Sequence, residues 1–257
     1  MDRDAPAPER LQARQLQDMI DASGRIVFFG GAGVSTESGI PDFRSADGLY
    51  TAGGPIPPEV VLSREFADGQ TLSFFEFYRR HLVHPEARPN AAHLKLAALE
   101  RAGRLRAVVT QNIDGLHQAA GSKRVIELHG SVHRNRCRAC GRRHSLERVM
   151  GAQGVAFCDC GGVIMPEVVL YGDPLDADVW AAAADEVARA DMLILGGTSL
   201  TVFPAAALVD YFEGERLAVI NKTRPDGIGR WGGRALTMTR PIGEVMAGVE
   251  AKPVGRG

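Results

Sequence analysis

Long apolar runs, an excess of one charge, and cysteine are all scarce in this chain, and each shortage excludes a class of function. No stretch of the 257 residues stays apolar over the roughly 20 positions needed to cross a bilayer. The opening M-D-R-D-A-P-A-P-E-R lacks the apolar core of a secretion signal. Thirty basic residues against 31 acidic ones leave a formal net charge of −1, which offers no footprint for nucleic acid or an anionic membrane. The four cysteines fall between positions 137 and 160, too few and too clustered for a secreted disulfide scaffold. With 45% hydrophobic and 24% charged residues, the expectation is a soluble cytoplasmic protein with one large core, or one domain plus a smaller one. A monomer would suffice, although oligomeric state is left open.

The stretch from Ile26 to Arg44 organises the rest. Ile26 to Phe29 is a β-branched and aromatic run that predicts a buried strand. It leads into Gly30-Gly31-Ala32-Gly33, where backbone N–H groups can approach a ligand closely. Ser35, Thr36 and Ser38 can cap a short helix whose N-terminal end would face a phosphate. Two parts of the common dinucleotide fingerprint are missing. Its third glycine would fall at Thr36, and no strand ending in an acidic residue follows about twenty positions on. Glycine-rich strand-to-helix turns also occur without a ligand, so the glycines alone do not decide the matter.

Taken in order, residues 1–9 are expected to be disordered, and Glu9 to Ala22 to form a helix burying Leu11, Leu16, Met19 and Ile20. A helix with an aromatic face runs from Leu72 to Leu82, with Phe74, Phe75, Phe77 and Tyr78 as ordinary core. Another runs from Asn90, its cap, to Ala102 before Gly103. Strands at Leu105 to Thr110 and Val125 to Leu128 deliver Gln111-Asn112-Ile113-Asp114 and His129-Gly130-Ser131 at their C-terminal ends. Later strands at Met192 to Leu195 and Leu217 to Ile220 deliver Gly196-Gly197-Thr198-Ser199 and Asn221-Lys222-Thr223, with helices near 178–189 and 204–212. Polar strand ends of this kind predict an α/β fold, a doubly wound Rossmann-like parallel sheet with one ligand-binding edge. The expected divisions are a Rossmann-like domain of residues 10–50, 90–132 and 167–250, a helical insertion of 51–89, and a metal-binding module of 133–166.

Cys137-x-x-Cys140 and Cys158-x-Cys160 suit one tetrahedral ion held by four thiolates, with no position open for a catalytic water. Arg136, Arg138, Arg142 and Arg143 would partly offset the charge. A redox switch and unligated buried thiols are the alternatives to structural zinc. Among seven histidines, His129 stands out over His117, His81 and His84 because it closes a short strand and precedes a glycine.

The stretch G-A-G-V-S-T-E-S-G-I-P-D-F-R closely resembles the NAD loop of the sirtuins, NAD-dependent protein-lysine deacylases. Q-N-I-D, H-G, the cysteine pairs and the flap M-P-E-V-V-L-Y-G-D follow in that family's order, up to about Thr223. The resemblance implies a bacterial-type catalytic core that converts acyl-lysine and NAD into lysine, nicotinamide and O-acyl-ADP-ribose. It implies His129 as general base, with Asn112 and Asp114 also catalytic. Gly31, Ala32, Gly33, Ser35 and Thr36 would form the NAD loop, Phe43 would cover the site, and Arg44 would reach the phosphates. Gln111, Asn112, Ile113, Asp114 and His129 would hold the ribose and nicotinamide end. Gly197, Thr198, Ser199, Asn221 and Lys222 would hold the adenosine half, and Ile242 would touch adenine. Val168, Val169, Tyr171 and Gly172 would bind the acyl-lysine substrate protein as an added strand. The family's usual flap is closer to V-V-x-F-G-E, whereas this chain has Tyr171 and Asp173. The zinc, one per chain, would be architectural.

Sirtuins that remove acidic acyl groups place a Tyr and an Arg three residues apart on a pocket helix. The matching places here are Phe75 and Tyr78, or Tyr78 and His81 in the other register that starts from a tyrosine. Neither has an arginine, although a shift of one residue would bring in Arg79, and this implies a preference for uncharged acyl groups. Protein ADP-ribosyl transfer and non-catalytic NAD sensing remain as alternatives. Hydride transfer is disfavoured by the missing glycine and acid.

Overall fold

The computed structural model describes residues 7–43, 45, 48–50, 56–225, 231 and 234–254. Its strands are β1 (Ile26–Gly30), β2 (Leu105–Thr110), β3 (Val125–Glu127), β4 (Gly130–Cys137), β5 (Arg143–His144), β6 (Ile164–Val168), β7 (Met192–Gly196), β8 (Arg216–Asn221) and β9 (Ala235–Thr239). Its α-helices are α1 (Ala7–Asp21), α2 (Pro58–Val61), α3 (Arg64–Gly69), α4 (Thr71–His81), α5 (Ala91–Arg101), α6 (Leu116–Ala119), α7 (Leu146–Met150), α8 (Ala177–Ala188) and α9 (Ile242–Ala247).

Six strands form one parallel sheet in the order β3-β2-β1-β7-β8-β9. The chain builds outward from β1 to β3 and then returns to the other side of β1 with β7. The switch point therefore lies between β1 and β7, where open α/β sheets bind ligands beyond their carboxyl ends. Period-two alternation explains why β1 sits in the middle. Ile26 and Phe28 pack with Leu16 and Ile20 of α1 and Leu96 of α5, while Val27 and Phe29 pack with Val187 of α8 and Leu208. Each such fully buried side chain contributes about 1.5–3 kcal/mol relative to exposure.

A separate antiparallel sheet, in the order β5-β4-β6, carries the cysteines. Its core is shared with the helical insertion. Phe74, Phe75 and Tyr78 of α4 pack with Val132, Ile164, Met165 and Val168. This bears out Phe75 and Tyr78 as ordinary core and overturns their placing, by resemblance, on an acyl-pocket wall. Both are fully buried in that core, and neither lines the cleft described below.

Other differences are local. Ala7 to Glu9, expected to be disordered, are the first residues of α1, while residues 1–6 lie outside the described residues. The turn after β1 is not a capped helix. It forms two 3-10 turns, Ala32–Val34 and Thr36–Ser38, with no side-chain cap. The element expected near 204–212 is a 3-10 helix, Ala205–Tyr211. β9 and α9 have no counterpart in the expectations.

Arg104, buried just before β2, is held entirely by carbonyl groups in its hydrogen bonds. It donates to Ile20, Asp21 and Ser23 at the end of α1, and to Lys252 and Pro253 near the other end of the described chain. Those carbonyls include the negative end of the α1 dipole, which stabilises a cation there.

Candidate active site

The loops after β1 and β7 meet at the switch point. Gly33 N–H donates to the Gly197 carbonyl at 2.8 Å, and Gly31 N–H to the Gly196 carbonyl at 3.2 Å. A Cβ on Gly33 would lie 2.8 Å from Gly197 Cα, and Gly197 holds a φ of +58° with Val34 N only 2.2 Å from where its Cβ would be. These glycines are needed for the two loops to touch, as well as for any ligand to approach.

Below this contact lies a hydrogen-bond network that local sequence does not reveal. Ser35, only 1% exposed, donates from Oγ to Asp114 Oδ2 at 2.6 Å and accepts from Asn112 Nδ2 at 3.0 Å. Asp114 Oδ1 accepts the Leu116 N–H at 2.8 Å, and Asn112 N–H donates to Thr110 Oγ1 at 3.0 Å. Ser35, read from sequence as a helix cap, is instead the link between the glycine-rich loop after β1 and the Q-N-I-D strand end. Asn90 adds a second tie. Besides capping α5, its amide donates to the Val34 carbonyl and to Ser38 Oγ.

His129 sits half-buried opposite. Its Nδ1 lies 3.0 Å from the Gln111 carbonyl, which can only accept, so Nδ1 carries the proton and Nε2 is left as the basic nitrogen. Burial lowers its pKa from the usual histidine value, and the Gln111 carbonyl opposes that shift. A neutral imidazole with one nitrogen fixed is suited to act as a general base.

These groups share a cleft of about 540 Å³, within the usual range for small-molecule sites. Ala32, Gly33, Ser35 and Phe43 line it from the first loop, Gln111 to Asp114 and His129 from the second and third strand ends. Gly197, Thr198, Ser199, Asn221, Lys222 and Ile242 line it from β7, β8 and α9. Val168, Val169, Tyr171 and Gly172 form the flap wall. Gly31 and Thr36 do not line it. Gly31 backs onto Gln111 and Thr198, and Thr36 Oγ1 donates to the Gly33 carbonyl. Arg44 lies outside the described residues. The cleft also takes in His81, Leu82 and His84 at the end of α4, so the helical insertion does supply part of a wall, together with Val202 and Phe203, which were not foreseen as lining.

A model of the Sir2 family matches residues 31–204. The chain belongs to the Sir2 family. A Cutibacterium acnes protein named NAD-dependent protein deacetylase is 57% identical to this Sir2 chain over 214 residues, covering 82% of this chain and 88% of that one. A solved Sir2 complex with deacetylated p53 peptide and 3'-O-acetyl ADP-ribose aligns with a TM-score of 0.82 at 32% identity, covering 92% of this chain and 99% of its own. A Sir2 homologue solved with NAD aligns with a TM-score of 0.78 at 36% identity, covering 91% of each.

In this Sir2 protein the donor set of the cleft fits a dinucleotide. Gln111 Oε1 accepts from Thr198 Oγ1 at 3.0 Å, but its buried Nε2 has no partner among the described residues. Asn221 Nδ2 donates to the Thr198 carbonyl at 3.0 Å, tying β8 to the β7 loop. An orphaned amide beside a glycine turn is what a polar ligand would satisfy.

The four cysteines also converge, with all sulfurs within 4.8 Å of one another. Cys137 and Cys160 sulfurs are 3.5 Å apart, and those of Cys140 and Cys158 are 3.7 Å apart, far too long for disulfides. Metal–sulfur bonds of about 2.3 Å give a tetrahedron with edges of about 3.8 Å, so the set fits a zinc-sized ion. The tight second knuckle turns at Gly161, whose φ is +81°. Three of the four arginines expected to offset thiolate charge have carboxylate partners instead: Arg136 pairs with Glu167, Arg138 with Asp68, and Arg142 with Asp159.

Proposed function

We propose that this chain is an NAD-dependent protein-lysine deacetylase, with acetylated proteins as substrates and His129 as general base. The observation that carries the proposal is His129. Its Nδ1 is held by a carbonyl and its ring opens into the same cleft as the Ser35–Asn112–Asp114 network and the flap. The names borne by the relatives support it.

The residues divide the work as follows. The glycine turn and the polar ends of β7 and β8 hold the nucleotide. Asp114 and Asn112, fixed by Ser35, orient the ribose and nicotinamide, whose glycosidic bond is already activated by the pyridinium charge. The acyl oxygen displaces nicotinamide, and His129 takes the proton of a ribose hydroxyl that then attacks the acyl carbon. With one water consumed, the products are lysine, nicotinamide and O-acyl-ADP-ribose. Phe43 covers the cleft and keeps stray water from the intermediate. Asp114, His129 and Phe43 hold these roles as part of the proposal.

The same reading assigns one structural zinc to the cysteine set, and residence in the cytoplasm, where thiols stay reduced. The test is to incubate the purified protein with NAD and an acetyl-lysine peptide. Equimolar nicotinamide and free-lysine peptide are expected. Nicotinamide release without deacylation, with ADP-ribose attached to protein, would replace this reading with ADP-ribosyl transfer. No peptide-dependent release at all would refute it.

A further inference from the structure

We infer that Tyr50 and Tyr171 form a latch that couples the cofactor loop to the substrate flap, with Tyr171 as the positioning residue. The inference rests on the deacetylase reading for the identity of the two ligands.

The flap is anchored independently of the latch. Tyr171 N–H donates to the Leu62 carbonyl and Arg64 N–H to the Tyr171 carbonyl, both at 2.9 Å, so residue 171 bridges to Ser63 as a short parallel pairing. Arg64 also grips Asp173 with two bonds, of 2.9 and 2.7 Å, a bidentate pair. Asp173 Oδ2 in turn accepts the Leu170 N–H at 2.9 Å. The backbone of residues 170–173 therefore stays with α3. Val169 N–H donates to the His129 carbonyl at 2.9 Å, which ties the same flap to the general base.

The opposite wall is a second tied unit. Tyr50 N–H donates to the Phe43 carbonyl at 2.9 Å, Leu49 N–H donates to the Asp42 carbonyl at 2.8 Å, and the Phe43 and Tyr50 rings meet edge-on at 5.5 Å. Phe43 cannot move far without Tyr50.

Between the two units, the Tyr50 and Tyr171 hydroxyls lie 2.5 Å apart, one phenol donating to the other, and both side chains line the cleft. Tyr171 is 44% exposed, so its packing does not call for a hydroxyl. Phenylalanine, the residue of the family pattern at this place, would keep the ring and lose the bond. A ligand that settles Phe43 and Tyr50 favours the bonded pair and so steadies the flap, and a peptide on the flap does the reverse. Such coupling is reciprocal. A hydrogen bond between two neutral hydroxyls is worth roughly a two- to tenfold shift in an equilibrium.

ADP-ribose and an acetyl-lysine peptide make a suitable pair of ligands, because ADP-ribose has no nicotinamide to release and the complex does not turn over. Calorimetric titration gives the peptide affinity with and without saturating ADP-ribose, for the intact protein, Tyr171→Phe, Tyr50→Phe and the double variant. ADP-ribose is expected to tighten peptide binding in the intact protein. Either single variant should lose about two- to tenfold of that tightening, and the double variant no more. Absent coupling in the intact protein, unchanged coupling in the single variants, or additive losses in the double variant would each overturn the latch. Hydrogen exchange of flap amides 168–173 on adding ADP-ribose alone requires no acyl-lysine. Protection present in the intact protein and lost in Tyr171→Phe supports the latch, and equal protection in both overturns it. Absence of peptide-dependent nicotinamide release would sink the deacetylase reading instead, so the two failures are distinguishable.

Discussion

Replacing Ser35 with alanine isolates the network that joins the glycine loop to the Gln111–Asp114 strand end. The hydroxyl removed has two partners, at 2.6 Å to Asp114 and 3.0 Å from Asn112. A hydrogen bond to a charged carboxylate is worth about 1.5–3 kcal/mol, and a buried amide left without its acceptor costs about 1–3 kcal/mol. The two do not add fully, because Asp114 can swing toward the Asn112 amide once the hydroxyl is gone. A total near 3 kcal/mol is expected, and at 1.36 kcal/mol per decade this is about a hundredfold in rate. If the network only supported the fold, the loss would appear as a lower melting temperature, about 2–4 °C per kcal/mol for a chain of this size. If it positions Asn112 and Asp114 for chemistry, kcat/KM for nicotinamide release falls about a hundredfold well below the melting transition. Ser35→Thr keeps a hydroxyl and should recover part of the loss. A kcat/KM for Ser35→Ala within threefold of the intact protein would refute the argument.

His129→Ala should abolish deacetylation while leaving NAD affinity within a few-fold, measured by turnover and calorimetry; near-normal turnover would remove His129 as the base. Cys140→Ala should lower both zinc content and soluble yield, and elemental analysis of the intact protein showing under about half an equivalent would count against a structural ion. His93 and His117, whose tilted rings lie with centroids 4.7 Å apart, have pKa values lowered by burial to about 4 and about 3. In the unfolded chain they take up protons first, so stability should be full above pH 6.5 and fall by about 1.4 kcal/mol per unit per histidine as the pH drops toward 4; a denaturant midpoint unchanged between pH 7 and 5 would contradict this. Acetyl-peptide should be preferred over succinyl-peptide by at least about tenfold in kcat/KM, because no arginine lines the cleft among the described residues; equal rates would show that another group clamps the carboxylate.

What was legible in the sequence followed local patterns. The β-branched and aromatic run I-V-F-F marked β1, polar residues after apolar runs marked the strand ends, and the paired cysteines converge as their spacing suggested. What was hidden depends on distant partners. Ser35 and Asp114 are 79 positions apart, so a serine that looks like a cap gives no sign of its real bond. Phe75 and Tyr78 lie on an apolar helix face, but periodicity does not say whether such a face meets a cleft or a second sheet. The nearby β4–β6 sheet took them. Arg136, Arg138 and Arg142 look like counter-charges for thiolates only until their carboxylate partners are in view.

Arg104 bears on the order of synthesis. Its charge is buried against carbonyls from the end of α1 and from Lys252 and Pro253, 148 and 149 positions further along the chain. During translation the α1 carbonyls and β2 are available early, but the guanidinium still lacks part of its shell. Burying an under-solvated cation is costly, so the seal over this end of the sheet waits until residues 252 and 253 have left the ribosome. Until then two of the carbonyls around Arg104 are missing, and this end of the sheet keeps an open seam.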